Sequence, residues 1–253
     1  MTSRLFALLA LSAALAVPAF AHAEDATPPA VSSTTVVSET LLSGLGRHAT
    51  SLEEMKKRGA FTFSGHMESV DGDGKASEVK DLTIRSTPSN GGQRVVKVMR
   101  YVEDGKDKTV EAQTKADARR AKNKESKGDK KVKELKLPFL PTEQARYNFS
   151  VAQRDAANPS RILLAFTPKV AAEDAVKGTA WVDESAKEIL STGFSFSKNP
   201  TFVDHVNITI VFGLSTPLGR APSQISFDGQ GGFLFLRKHY RGSANISDPA
   251  IAF

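Results

Sequence analysis

At Gly59 the hydrophobic period of this 253-residue chain changes from near 3.6 to 2. Before that glycine, Leu41, Leu42, Leu45, Ala49, Leu52 and Met55 recur at three- and four-residue spacing. They form one apolar stripe on a helix that Ser38 can cap and that Lys56, Lys57 and Arg58 complement at its C-terminal end. After it, Phe61, Phe63, Gly65 and Met67 alternate with polar residues, as a half-buried strand requires. Further strand runs are 78–85, 93–102, 147–153, 162–166, 178–182, 188–197, 202–214, 223–227 and 233–240, with a last one near 244–247. Turn signals such as Asn158-Pro159, Asn199-Pro200, Thr216-Pro217 and Gly231-Gly232 separate many of them. Lys108 to Thr114 reads as the start of a return strand after the turn at 103–107. One helix followed by about ten strands predicts a mainly β (α+β) chain. Its expected form is a curved antiparallel sheet or unclosed β-barrel under an N-terminal covering helix. Alternating βα units are absent, which excludes Rossmann and TIM architectures.

The ends and the charge divide the chain further. Residues 1–23 combine Arg4, an apolar run from Leu5 to Val17 and Ala21-His22-Ala23, the pattern of a signal peptide cleaved before Glu24. The run is too short to cross a membrane, so an integral membrane protein is not expected. Residues 24–37 read as a disordered spacer and 38–253 as a single domain. The formal charge is +6, and residues 115–136 alone carry ten Lys/Arg against four Asp/Glu. The basic character therefore belongs to one excursion on a nearly neutral β-domain, which argues against a nucleic-acid partner. Within the excursion, Arg119, Arg120, Lys130, Lys131 and Lys133 are candidates for docking to an anionic envelope surface.

Residues for catalysis are scarce. There is no cysteine, so disulfides, thiolate metal sites and Cys nucleophiles are excluded. His48, His66, His205 and His239 stand in no metal-ligand spacing and read as surface or rim residues. No nucleophile elbow or phosphate loop occurs, and Gly229-Gln230-Gly231-Gly232 reads as a tight turn. The acidic loop at Asp71 lacks the Gly and Glu of a calcium loop, having Ala76 and Leu82 there. No catalytic residue, metal or cofactor is expected. The apolar strand faces offer more: a sheet with one covering helix has room for a ligand cavity. Its candidate lining is Phe61, Phe63, Met67, Trp181, Phe194, Phe196, Ile208 and Ile210.

The order of features resembles the LolA/LolB-like periplasmic fold, which includes the outer-membrane lipoprotein-sorting proteins and RseB-type stress sensors. The resemblance rests on three pieces. An amphipathic helix, Ser38 to Arg58, runs into Phe61-Thr62-Phe63-Ser64-Gly65. An acidic glycine turn follows, and later comes Gly178-Thr179-Ala180-Trp181-Val182-Asp183. The resemblance implies an unclosed barrel with a helical lid and a non-enzymatic carrier or sensor in the periplasm. Its implied ligand is a lipid or the acyl chains of a lipoprotein. The rival reading is an envelope-binding module that docks to anionic polymers or a protein through 115–136.

Overall fold

The computed structural model describes residues 35–71, 74–89, 94–125, 135–233 and 236–251. The expected signal peptide and Lys130, Lys131 and Lys133 lie outside them.

Helix α1 spans Glu39–Arg58. The Ser38 side chain accepts from the Leu41 amide at 3.3 Å, and Lys56, Lys57 and Arg58 fill the last turn. Gly59 leaves the helix in an extended conformation, φ −85°, so left-handed freedom is not why glycine stands there. An added Cβ would come within 2.5 Å of the Met55 carbonyl oxygen and collide with the Phe61 ring, so the helix can turn straight into a strand only at a glycine.

That strand is β2, Gly59–Val70. The others are β1 (Thr35–Val36), β3 (Ala76–Pro88), β4 (Arg94–Glu103), β5 (Lys106–Asp107), β6 (Tyr147–Arg154), β7 (Arg161–Pro168), β8 (Val176–Asp183), β9 (Glu188–Phe196), β10 (Val203–Val211), β11 (Leu214–Thr216), β12 (Gly219–Ala221), β13 (Gln224–Phe233) and β14 (Leu236–Ile251). Twelve form one sheet in the order β1-β6-β7-β8-β9-β10-β13-β14-β2-β3-β4-β5, with every neighbouring pair antiparallel, and β11–β12 is a separate hairpin. The pairing does not return from β5 to β1, so the mainly β, unclosed architecture read from the sequence is the observed one. Thr35 and Val36, read as spacer, pair with Val151 and Ser150, and Val37 is buried in the core.

Two local readings are corrected. Residues 109–114 are not a return strand: only Lys106–Asp107 pair with β4, and Thr109–Glu125 form helix α2. Ala112, Ala116, Ala118 and Ala121 favour helix, and Glu111 and Lys115 pair one turn apart. The helix guards the open sheet edge. Gln113 accepts from the Val98 amide at 2.6 Å and donates to the Val96 carbonyl, supplying the partners a further strand would. The glycines 229, 231 and 232 are likewise not a turn but the second half of β13: all three pair with β14, and Gly229 and Gly231 pair with β10 as well. A Cβ at Gly229 would stand 3.2 Å from Val206, so the glycine lets β10 approach closely.

The core forms where α1 lies on the inner sheet face. Leu41, Leu45, Ala49, Leu52 and Met55 pack with Phe61, Phe63, Ile84, Ile162, Leu164, Ile189, Phe212 and Ile246. Phe139, from the proline-punctuated segment after α2, is 1% exposed and meets Phe149 and Phe166 at centroid distances of 5.5 and 5.6 Å. The short helix α3, Pro141–Gln144, holds that segment to α1. Gln144 donates to the carbonyls of Leu42 and Phe139, both at 2.8 Å. Buried Glu143 accepts from Arg146 and Lys136, which keep its carboxylate below its ordinary range although burial alone would raise it.

Candidate ligand-binding face

The register lines up one row of inward residues across eight strands. It runs Phe166, Gly178, Phe194, Ile208, Phe227, Gly242, Met67 and then Lys80, from β7 to β3. Phe166 is buried, but Phe194, Ile208, Phe227 and Met67 are only half-buried. Ile210 belongs to the next row, with Ile225, Ala244, Gly65 and Leu82, and is also half-buried. Two rows nearer α1, Phe63, Ile84 and Ile246 are closed over. The helix thus covers part of the inner face, and beside it lies a half-buried apolar strip whose Ile208 packs in a cluster with Leu135. The Phe227 ring lies over Gly242, where a Cβ would be 2.6 Å from it.

The strip ends in charge. Lys80 lies 2.8 Å from Glu78 and 3.5 Å from Glu103. Lys108 also pairs with Glu103, and Tyr101 donates to it at 3.2 Å. The Lys108 hydrogen bond leads the effects that hold Glu103 down to about 2 against the cost of burial. Burial, then the Glu103 charge, pushes the Tyr101 phenol up, so it stays a hydrogen-bond donor at neutral pH.

The sequence-derived candidates separate accordingly. Met67, Phe194, Ile208 and Ile210 share the half-covered strip. Phe61 and Phe63 lie in the core under α1, and Phe196 packs with Val203 and Val206 in a small cluster beside it. Trp181 alternates with buried Ala180 and Val182 and so belongs to the outer face. On α2, Arg119 is exposed and Arg120 is partly buried. Among the described residues, no partner accepts from the Arg120 Nε.

The histidines occupy more specific places than a surface reading gave them. His48 is buried: its Nδ1 accepts from the Ile189 amide at 2.9 Å and its Nε2 donates to the Arg220 carbonyl at 3.0 Å. It therefore stitches α1 to β9 and β12 as the neutral Nε2–H tautomer. The other three lie on the outer face, at alternate strand positions whose direction a strand pattern shows but whose neighbours it does not. His66 donates from Nδ1 to Asp81 (2.8 Å) and from Nε2 to Glu68 (3.2 Å), and Arg241 also donates to Glu68 at 2.6 Å. Two ring N–H donors imply the imidazolium, and the Asp81 and Glu68 bonds raise its pKa. The His66 resonance should titrate above 6.5, and Asp81→Asn should lower that midpoint. Its stabilisation is fully present below pH 6.5 and is lost as pH rises through the raised value. His66 is 43% exposed, so solvent keeps the effect under about 1 kcal/mol. An NMR pH titration that leaves His66 at or below its free value would contradict the pairing.

On the same outer face, His205, Asp228 and His239 come together from β10, β13 and β14. They stand 11 or more residues apart in the chain, a spacing no local motif reveals.

No helix among the described residues is long and apolar enough to cross a membrane. No protein-family model and no curated protein matches the chain. Among solved structures, a DUF1329 family protein from Desulfovibrio piger is similar at 10% identity and TM-score 0.39, covering 85% of this chain and 94% of its own. A LolA superfamily protein from Nitrosomonas europaea is similar at 10% identity and TM-score 0.34, with coverages of 87% and 95%. A chain of the MucA/MucB complex from Pseudomonas aeruginosa gives 9% identity, TM-score 0.26 and coverages of 82% and 94%.

Proposed function

We propose that this chain is a non-enzymatic binding module of the periplasm that holds an acyl chain of a lipid or lipid-modified protein along the inner sheet face. The supporting observation is the half-covered row Phe194, Ile208, Phe227 and Met67, which ends at the Lys80–Glu103–Lys108 network. An extended apolar strip with charge at one end suits an amphiphile. The chain lies on phenylalanine and aliphatic side chains while the head group stays near the ions and water. Burying a methylene contributes about 0.8 kcal/mol and micromolar affinity corresponds to about 8 kcal/mol, so at least about ten methylenes must be buried, and a strip already formed keeps the further cost of association low.

A fluorescent long-chain fatty acid titrated into the purified protein should show saturable binding. Ile208→Glu should weaken it at least about tenfold, since a carboxylate in an apolar contact costs more than 1.4 kcal/mol. Thr209→Glu, one residue along on the exposed outer face, should not. Absence of saturable binding, or equal loss in both variants, would overturn the reading.

A further inference from the structure

A cluster on the outer sheet face stands apart from the apolar strip. His205 Nε2 lies 2.9 Å from Asp228 Oδ1, and His239 Nε2 lies 2.8 Å from Asp228 Oδ2. One carboxylate therefore faces two imidazole nitrogens, one at each oxygen. One donor atom from each of the three residues lies within 4.8 Å of the other two, and the two rings meet edge to face at 6.1 Å. The three side chains rise from adjacent strands in continuous pairing: Gln230 stands opposite both His205 and His239, and Asp228 is two residues along β13 on the same face. A site built on paired strands has its ligands positioned before the ion arrives.

The surrounding charges leave the cluster open to a cation. Arg237 and Arg241 flank His239 two residues on either side. Each turns to a carboxylate outside the cluster, Asp204 at 3.6 Å and Glu68 at 2.6 Å. With neutral imidazoles the cluster carries one negative charge. All three residues are partly exposed, so a hydrated ion can reach them.

We propose that His205, Asp228 and His239 form a binding site for one divalent transition-metal ion of the zinc class. Two nitrogens and one carboxylate, with no thiolate in the chain, suit Zn²⁺, Ni²⁺ or Cu²⁺ and disfavour Mg²⁺ and Ca²⁺, which take oxygen donors. The ion binds at the Nε2 atoms that now face Asp228, and the proton of each neutral ring moves to Nδ1. At bond lengths of about 2.0–2.2 Å the ligand atoms stand roughly 3.4 Å apart, so a nitrogen–oxygen pair now at 2.8 or 2.9 Å widens slightly while the longer separations, up to 4.8 Å, shorten, both by side-chain rotation. Three protein ligands leave at least one position to water or to a group from a bound partner. The site lies on the sheet face opposite the acyl strip, so it and the lipid reading stand or fall separately.

The test is calorimetric titration of ZnCl₂ into the chain, made without a polyhistidine tag, with visible absorption of the Co²⁺ form as a second readout. One ion per chain is expected, with the ligand-field bands of a nitrogen- and oxygen-bound cobalt. His205→Ala, His239→Ala and Asp228→Asn should each weaken binding by at least roughly 100-fold, while His66→Ala leaves it unchanged. Circular dichroism checks that the variants remain folded. Asp228→Asn also keeps the side-chain volume should an alanine variant fail. Zinc binding by a folded His205, Asp228 or His239 variant as tight as by the parent chain, or no zinc binding by the parent, would overturn the proposal.

Discussion

Gly178→Val should leave little or no folded protein. A Cβ built on Gly178 would stand 2.0 Å from the Gly193 carbonyl oxygen and 2.7 Å from the Phe194 Cα, both atoms of the neighbouring strand's backbone. Neither can rotate away, and separating β8 from β9 would break a ladder of eight residue pairs. The cost should exceed about 4 kcal/mol, a large part of the 5–15 kcal/mol that holds a typical domain together. Soluble yield and a denaturant midpoint measure it. Gly193→Ala serves as the contrast, because the atom nearest its Cβ would be Thr209 Oγ1 at 3.8 Å, ordinary contact. Equal midpoints for the Gly178 variant and the parent would refute the close approach of β8 and β9.

Phe166→Ala should cost about 3–5 kcal/mol. The ring is 1% exposed and meets Phe139 at 5.6 Å and Tyr147 at 6.5 Å, both edge to face. Its removal opens a hole between β6, β7 and the segment that α3 holds to α1, and none of these can close it without moving the Gln144 hydrogen bonds. Urea unfolding should show a lower midpoint at an unchanged slope. Met99→Ala, at a side chain 55% exposed, should stay within about 0.5 kcal/mol. Equal losses at the two positions would mean that the aromatic cluster is not a core.

The alternation patterns showed which way side chains point but not what they meet. Val206, Ile208 and Ile210 read as one face and are one face. The same rule places His205 on the other side, yet its neighbours Asp228 and His239 come from strands 23 and 34 positions away. Phe61 and Phe194 carry equal signals in the sequence. Only the path of α1 across the sheet buries the first and leaves the second half-open. Residues 109–114 read as strand rather than as the start of helix Thr109–Glu125 because the apolar residues of that helix are alanines and one valine, too weak a stripe to show a period; the helix gains from covering the edge of β4 instead.

Local chemistry therefore determined the capped helix 39–58, the change to strands at Gly59, the absence of thiol chemistry and the two faces of each strand. These depend on spacing, capping and composition, which operate within a few residues. The tertiary structure alone decided the register. A shift of one residue between two strands turns every side chain to the opposite face. The observed pairing is what lines up Phe194, Ile208, Phe227 and Met67 on one side of the sheet, and gathers His205, Asp228 and His239 on the other.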